Sequence, residues 1–172
     1  MTKVKNQTKN SSKSNILNYE ILKYSSGKRD TTLVAAELGI SPSNLFKSII
    51  VKINNSYFKL LMIPSDNILD MHHLKRIFGG DKVEIAMREE AESITDLKVG
   101  GISVLGILDD KIDFYIDNSA LQFQSIVISA GKRGFAAKVN VQNLINLYNI
   151  KVVDLLAKSQ LIKNKKENVE NI

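Results

Sequence analysis

Apolar and polar residues alternate in short runs along residues 15–157, and these runs predict both strands and helices. Strands are predicted where the runs are short and apolar: Tyr19–Tyr24, Phe46–Ile53, Tyr57–Ile63, Val83–Ala86, Ile112–Ile116, Ser125–Ser129, Phe135–Val139 and Val152–Val153. Helices are predicted where start and stop residues bound a run: Thr31–Leu38, a short helix from Pro42, Asp70–Phe78, Arg88–Ile94, and a helix from the Asn140 cap through Tyr148. The irregular order of strands and helices predicts a single compact α+β domain with a mixed sheet, and not a doubly wound α/β fold.

The tails and the body of the chain differ in charge. Residues 1–14 carry four lysines and no acids, and residues 158–172 carry four lysines and two acids. The two tails therefore account for the whole net charge of +6, and residues 15–157 are neutral, with 16 basic and 16 acidic side chains. A neutral body does not predict a broad phosphate-binding face, so DNA is not an expected partner and any RNA contact should be local. Both tails lack hydrophobic periodicity and are predicted to be disordered.

Composition excludes several kinds of site. The absence of cysteine excludes a disulfide, a cysteine zinc site and a thiol nucleophile on the protein. The two histidines, His72 and His73, are adjacent on a predicted helix and point in different directions, so neither a metal site nor a cofactor is expected. No apolar run approaches the ~20 residues of a membrane span, and the N-terminus lacks the apolar core of a signal peptide. These features together predict a cytoplasmic protein.

Lys47 lies at the start of the strongly apolar strand Phe46–Ile53. If it lies in a pocket, desolvation favours its neutral form, and the side chain can position a substrate or share a proton. The alternative is an edge-strand lysine that points at water, as expected for Lys52 and Lys59. The hydrophobic pattern leaves both interpretations open.

Two segments containing glycine are further candidates for chemistry. Residues 100–106 (GGISVLG) are neither a P-loop nor a dinucleotide fingerprint, but their backbone N–H groups could approach a ligand oxygen closely. Residues 129–134 (SAGKRG) join two predicted strands and place a basic pair between glycines, which could meet a phosphate or a terminal nucleotide. Each segment is also open to interpretation as a plain turn.

Taken in order, these segments resemble the YbaK-type aminoacyl-tRNA deacylases, relatives of the editing insertion domain of bacterial prolyl-tRNA synthetase. The resemblance covers Ile16 to Ala157. It rests on LFKSIIV at residues 45–51, VGGISVLG at 99–106, the single Asp117, and VISAGKRG at 127–134. Each segment is weak alone, and their order and spacing make the resemblance specific. It implies a compact α+β domain around a curved mixed β-sheet with flanking helices.

The resemblance also implies which residues form the site. Lys47 corresponds to the essential lysine of the family, and Gly101 lies in the loop expected to act on the substrate carbonyl. The implied substrate-binding residues are Tyr24, Ser48, Gly100, Ser103, Gly106, Asp117, Ser129, Gly131, Lys132 and Arg133. Ser48 stands where threonine is more usual. Val104 stands where the family usually has proline, so valine is expected to loosen the loop.

The activity implied by the resemblance is removal of a wrongly attached amino acid from tRNA, cysteine from tRNA(Pro) in the first place and also from tRNA(Cys). Because the chain offers no convincing Ser-His pair, the thiol or ribose hydroxyl of the substrate is expected to attack the ester. The expected partners are the single-stranded 3′ end of aminoacyl-tRNA and a prolyl-tRNA synthetase that supplies tRNA identity, for a monomer or homodimer. Two alternatives stay open: a deacylase for another small residue such as alanine, and a non-catalytic module that binds aminoacyl-tRNA or a nucleotide.

Overall fold

The computed structural model describes residues 5–8, 17–25, 27, 30–80, 82–108 and 111–156. Within these ranges the chain forms nine strands: β1 (Lys5–Thr8), β2 (Leu17–Lys23), β3 (Phe46–Ile53), β4 (Tyr57–Pro64), β5 (Val83–Ile85), β6 (Asp113–Asp117), β7 (Ser125–Ser129), β8 (Phe135–Asn140) and β9 (Lys151–Val153). The four α-helices of the same ranges are α1 (Thr31–Leu38), α2 (Met71–Phe78), α3 (Arg88–Thr95) and α4 (Val141–Tyr148). Short 3₁₀ helices occupy Pro42–Asn44 and Asn118–Gln122. The C-terminal tail that was predicted to be disordered, residues 158–172, lies outside the described residues.

The helices begin and end at residues whose local chemistry favours a boundary. The Asp30 carboxylate accepts a hydrogen bond from the Thr32 N–H at 2.8 Å and caps α1, which ends at Gly39 in the left-handed conformation. Asp70 caps α2 in the same way, and Gly79 ends it. The Asn140 side chain accepts a hydrogen bond from the Asn143 N–H at the start of α4. These bonds involve only residues close in sequence, so the predicted helices are confirmed almost residue by residue.

The strands form two sheets. The five-stranded sheet has the order β5-β3-β4-β6-β9; β5, β3 and β4 are antiparallel, whereas β6 is parallel to both β4 and β9. The four-stranded sheet has the order β1-β2-β8-β7 and is antiparallel throughout. An isolated parallel bridge between Leu45 and Val127 joins the two sheets. The α+β class is therefore confirmed, but two sheets joined by one bridge replace the single curved sheet that was expected.

Strand β1 corrects the prediction that residues 1–14 are disordered throughout. Lys5–Thr8 pairs antiparallel with Leu17–Glu20 at the edge of the four-stranded sheet. The pairing of an edge strand is made by backbone N–H and C=O groups, so it does not require hydrophobic alternation. The prediction of disorder rested on the lack of that alternation. The rest of that predicted tail, residues 1–4 and 9–14, lies outside the described residues.

Apolar side chains pack the two sheets against each other and place helices on their outer faces. The largest core cluster contains Phe46 and Leu60 from one sheet and Ile126 and Ile128 from the other, all at most 1% exposed. Helix α2 covers the far face of the five-stranded sheet, and α1 covers the far face of the four-stranded sheet. None of the helices in the described ranges is long and apolar enough to cross a membrane.

Candidate active site

Lys47 lies in the wall of a pocket of about 340 Å³, next to the bridge that joins the two sheets. Its half-buried side chain donates a hydrogen bond from Nζ to the Ser65 carbonyl oxygen at 3.0 Å. Ser65 is itself fixed, because its N–H donates to Leu45 and its hydroxyl donates to Pro42. The lysine is therefore held at the pocket and does not extend into water as the edge-strand alternative required.

The surroundings of Lys47 perturb its charge. Burial lowers the pKa of the Lys47 ammonium below its ordinary value, because the charged form loses water. Attraction to Asp30 and Asp66 partly opposes this effect. Lys47 is thus a partly desolvated cation with donor capacity left over, since an ammonium group has three N–H bonds and one is accounted for by Ser65.

The pocket, here called the main chamber, has mostly apolar walls with a few polar groups. Its apolar walls come from both sheets and from α1 and α3, and include Leu45, Phe46, Ile50, Ala91 and Ile102. Its polar wall includes five predicted site residues: Lys47, Tyr24, Ser48, Gly100 and Ser129. An apolar cavity of this size with few convergent polar groups is typical of a small-ligand site.

One edge of β3 is open at the main chamber. Strand β5 pairs with residues 51–53 of β3, and the Ala86 N–H donates to the Ile50 carbonyl oxygen at 2.9 Å. The pairing of β5 with β3 therefore ends at Ile50. Backbone groups two residues apart on a strand point to the same edge, so those of Ser48 also face this side. In the part of the chain that the structure describes, Ser48 has no strand partner there. Since Ser48 lines the main chamber, an edge of β3 without a strand partner lies at the chamber beside Lys47.

The glycine loop at residues 100–106 packs directly on the turn between β7 and β8. Gly100 has φ +91°, which side chains other than glycine rarely adopt. A Cβ added at Gly101 would lie 3.1 Å from both the Gly131 carbonyl oxygen and the Lys132 Cα. The two glycines therefore allow the loop to turn and to approach the backbone of the neighbouring turn.

Two charged side chains hold the peptide groups of Val99, immediately before the glycines. Arg133 donates from Nη2 to the Val99 carbonyl oxygen at 2.8 Å. The Glu92 carboxylate accepts the Val99 N–H at 3.0 Å and the Lys98 ammonium at 2.8 Å. These hydrogen bonds, from Lys98 first and then from Val99, lower the pKa of Glu92 from 4.5 to about 2. Glu92 therefore stays ionised at neutral pH and fixes the entrance to the loop.

The N–H groups of the loop are not equally available to a ligand. Gly101, the residue expected to act on the substrate carbonyl, donates its N–H to the Lys98 carbonyl oxygen at 2.8 Å and does not line the main chamber. Gly100 and Ile102 do line it, and neither N–H is bonded to another described residue. Of the loop residues that line the chamber, these two are the ones whose N–H groups have no partner among the described residues.

Two predicted substrate-binding residues lie away from the chamber and are buried. Ser103, which is 0% exposed, donates its hydroxyl to the Ser129 carbonyl oxygen and accepts the Leu105 N–H. Asp117, which is 1% exposed, accepts the N–H groups of Ser119 and Leu155, both at 2.9 Å. Both side chains satisfy backbone groups, so the structure gives them a role in folding, which their sequence positions could not distinguish from substrate contact.

Three other predicted contacts also lie outside the chamber walls. Gly106 lies close to the Leu97 side chain, and Gly131 provides the turn with φ +86°. Lys132 is exposed, with its ammonium 5.8 Å from the Phe135 ring centroid. Val104 is 0% exposed and packs in the main core. That valine in place of proline loosens the loop stays a prediction.

Arg88 is a site residue that the sequence analysis missed. It lines the main chamber and an adjoining space of about 200 Å³, here called the arginine chamber, which is also lined by Tyr24, Thr31, Val34, Val99, Gly100 and Arg133. Arg88 is the first residue of α3, where a cation opposes the helix dipole. A cation at this unfavourable position could have indicated, from the sequence alone, that Arg88 has a role other than stabilising the helix.

Comparison with known proteins identifies relatives of this chain. A family model described as an aminoacyl-tRNA editing domain matches residues 26–147. A protein of Enterococcus faecalis named "Putative Cys-tRNA(Pro)/Cys-tRNA(Cys) deacylase EbsC" is 29% identical over 125 residues, which are 73% of this chain and 76% of that protein. The proline–tRNA ligase of Caldicellulosiruptor bescii is 28% identical over 129 residues, which are 75% of this chain but 21% of the ligase. The chain thus matches only a fraction of the ligase's length.

Solved structures agree on the fold. The structure titled "Crystal structure of hypothetical protein APE2540" superimposes with a TM-score of 0.73 at 23% identity, covering 81% of this chain and 91% of that one. One titled "Crystal structure of a putative trans-editing enzyme for prolyl tRNA synthetase" gives a TM-score of 0.72 at 20% identity, covering 81% and 87%. Since the family model spans most of the described body, the chain belongs to the aminoacyl-tRNA editing domain family.

Proposed function

We propose that this protein is a trans-editing deacylase that removes cysteine wrongly attached to tRNA(Pro). The observation that carries the proposal is the placement of Lys47, Ser48 and Gly100 around one apolar chamber in a chain of the editing family. The similarity to the Enterococcus faecalis protein named for Cys-tRNA(Pro) and Cys-tRNA(Cys) supports cysteine as the amino acid and extends the proposal to tRNA(Cys). Such a reaction belongs in the cytoplasm, where tRNA is aminoacylated.

The chamber suits the terminal adenosine ester of an aminoacyl-tRNA. Lys47 donates to the ribose end of the substrate and holds the ester in place. The N–H groups of Gly100 and Ile102 stabilise negative charge on the ester carbonyl oxygen as it develops. Because the chamber wall is largely apolar, these hydrogen bonds act with little competition from water.

The attacking group comes from the substrate in this proposal. The chain has no cysteine, and both histidines lie on α2, which contributes no residue to the chamber wall. The cysteine thiol of the substrate attacks its own ester carbonyl carbon. The bond between that carbon and the ribose oxygen breaks, and the thiol proton passes to the ribose oxygen through water. The products are a cyclic thiolactone and uncharged tRNA.

Editing of this kind is needed because a synthetase has a limited ability to select between amino acids of similar size. A pocket built for proline cannot strongly reject a residue of similar size, because one methylene changes the binding free energy by only about 1–3 kcal/mol. A prolyl-tRNA synthetase is therefore the proposed partner, supplying the mischarged tRNA. The similarity of this chain to a segment of proline–tRNA ligases supports that pairing.

The test is deacylation of cysteinyl-tRNA(Pro) beside alanyl-tRNA(Pro), with the wild-type protein and Lys47→Ala. We expect the wild type to release cysteine rapidly and Lys47→Ala to lose about 100-fold or more in kcat/KM, the cost of misplacing a reacting group by an ångström. Lys138→Ala is the matched control, because Lys138 is an exposed strand lysine outside the chamber wall. Its activity should equal that of the wild type.

Each other outcome has a definite meaning. Release of alanine in place of cysteine would keep the deacylase and change its substrate. Binding of both aminoacyl-tRNAs without turnover would contradict the enzyme proposal and favour a binding module. Equal activity of Lys47→Ala and Lys138→Ala would remove Lys47 from the mechanism.

A further inference from the structure

The arginine chamber adjoins the main chamber and differs from it in character. Tyr24, Val99 and Gly100 are among the residues that line both spaces, so the two spaces lie side by side. The arginine chamber adds Arg133 to these shared residues, and Arg88 borders both. Two guanidinium groups therefore face a space of about 200 Å³ beside the proposed ester site.

Both guanidinium groups keep donors that the described protein does not use. Arg88 donates from Nε to Glu92 at 3.2 Å, and Arg133 donates from Nη2 to the Val99 carbonyl oxygen. A guanidinium has five N–H bonds, so most of the donors on each side chain remain available. The forked arrangement of those donors matches the oxygens of a phosphate.

The charge of the surroundings leaves this space basic. Glu92 is the acid in contact with Arg88, and it also neutralises Lys98. The neighbouring acid Glu90 pairs with Lys52 on β3, and Glu89 is exposed and lines neither chamber. Among the residues that line the arginine chamber, Arg88 and Arg133 are cationic and none is acidic. The body as a whole is neutral, so this excess of positive charge is local.

We propose that the arginine chamber binds the phosphodiester that joins the terminal adenosine to the preceding nucleotide, with Arg88 as the main contact. This inference rests on the proposed function. It divides the substrate between the two spaces: the amino acid and terminal ribose lie at Lys47, and the phosphate lies between Arg88 and Arg133. Glu92 is a positioning residue, since its carboxylate orients the Arg88 side chain.

The test compares three cysteine esters that differ in the phosphate. They are cysteinyl-tRNA(Pro), the 3′-cysteinyl ester of adenosine 5′-monophosphate, and the 3′-cysteinyl ester of adenosine, which has no phosphate. For Arg88→Gln we expect KM to rise by about 10- to 100-fold with the first two esters, the usual effect of losing a hydrogen bond to a charged group. With the adenosine ester, which has no phosphate contact to lose, we expect KM to rise far less.

Two further variants control the interpretation. Arg76→Gln makes the same charge change on an exposed helix residue that lines neither chamber, and it should leave all three esters unaffected. Arg88→Lys keeps the charge but loses the forked geometry, so it should restore part of the lost affinity. Arg88 is 58% exposed, so Arg88→Gln should fold normally, which thermal denaturation verifies.

The outcomes separate this inference from the proposed function. Equal effects of Arg88→Gln on the phosphate-bearing and phosphate-free esters, or no effect on any, would overturn the phosphate site while the deacylase stands. If the wild-type protein cleaves none of the three esters, the proposed function fails and the phosphate site fails with it.

Discussion

Addition of one carbon at Gly101 tests whether close packing of the glycine loop on the β7–β8 turn sets the active site. In Gly101→Ala, the new Cβ would lie 3.1 Å from the Gly131 carbonyl oxygen, 3.1 Å from the Lys132 Cα and 3.3 Å from the Arg133 nitrogen. All three are backbone atoms, so no side chain can rotate away. The loop and the turn must separate by a few tenths of an ångström.

The magnitude follows from overpacking. Insertion of a methyl group into a closely packed contact costs about 1–3 kcal/mol. Replacing glycine also stabilises a protein by about 0.4–1 kcal/mol, because the unfolded chain loses conformational freedom. Gly27→Ala makes the same change where a Cβ meets no atom of the described residues within 4 Å, so it measures the second effect alone. The two variants should therefore differ by about 1–3 kcal/mol, or about 2–12 °C in Tm.

The assay combines thermal denaturation with deacylation of cysteinyl-tRNA(Pro), well below the Tm of both variants. Movement of the loop shifts the Gly100 and Ile102 N–H groups from the carbonyl oxygen. Because the donors are displaced and not removed, Gly101→Ala should lose about 10- to 100-fold in kcat, less than the roughly 100- to 1,000-fold cost of removing one oxyanion donor. Equal Tm and equal kcat for Gly101→Ala and Gly27→Ala would refute the reasoning. Loss of Tm with full kcat would limit Gly101 to a structural role.

Two further predictions concern buried and clamping carboxylates. Asp117→Asn replaces one of two accepting oxygens with a donor group, so one buried N–H loses its acceptor. The free energy of unfolding should fall by about 1–3 kcal/mol, while kcat/KM stays unchanged. A change in KM would instead indicate that Asp117 contacts the substrate. For Glu92, the folded-state pKa of about 2 lies below the ordinary 4.5, so its contribution to stability is present above pH 4.5 and is lost as pH falls towards 2. Between pH 4.5 and 2, the free energy of unfolding measured by urea denaturation should therefore fall less for Glu92→Gln than for the wild type. Parallel pH profiles for the two proteins would contradict the role of Glu92 in holding Lys98 and Val99.

The local elements of the fold were predictable because their causes are local. The Asp30 cap and the Gly39 stop are side-chain and backbone effects that act over a few residues, and the predicted bounds of α1 match the observed Thr31–Leu38. The apolar runs of β3 and β4 and the Asn54-Asn55 turn between them likewise specify a hairpin. The α+β class follows from the order of these elements.

The resemblance located part of the site without its geometry. Five of its residues, Lys47, Tyr24, Ser48, Gly100 and Ser129, line the main chamber. A sequence motif records which positions belong together, but not whether a side chain faces a ligand or supports the backbone beneath it. Ser103 and Asp117 belong to the supporting kind, since both satisfy buried N–H groups.

The amino-acid sequence by itself determined the helices and most strands, because short-range hydrogen bonds and hydrophobic periodicity act between near neighbours. The prediction of Lys47 came from the family resemblance, since the hydrophobic pattern left its role open. Only the tertiary structure decided that the strands divide into two sheets at the Leu45–Val127 bridge, and that β3 keeps an open edge there. It also brought Arg88 from α3 to face Arg133 from the β7–β8 turn. Such placements depend on the pairing of strands and the packing of helices far apart in sequence, which no local pattern encodes.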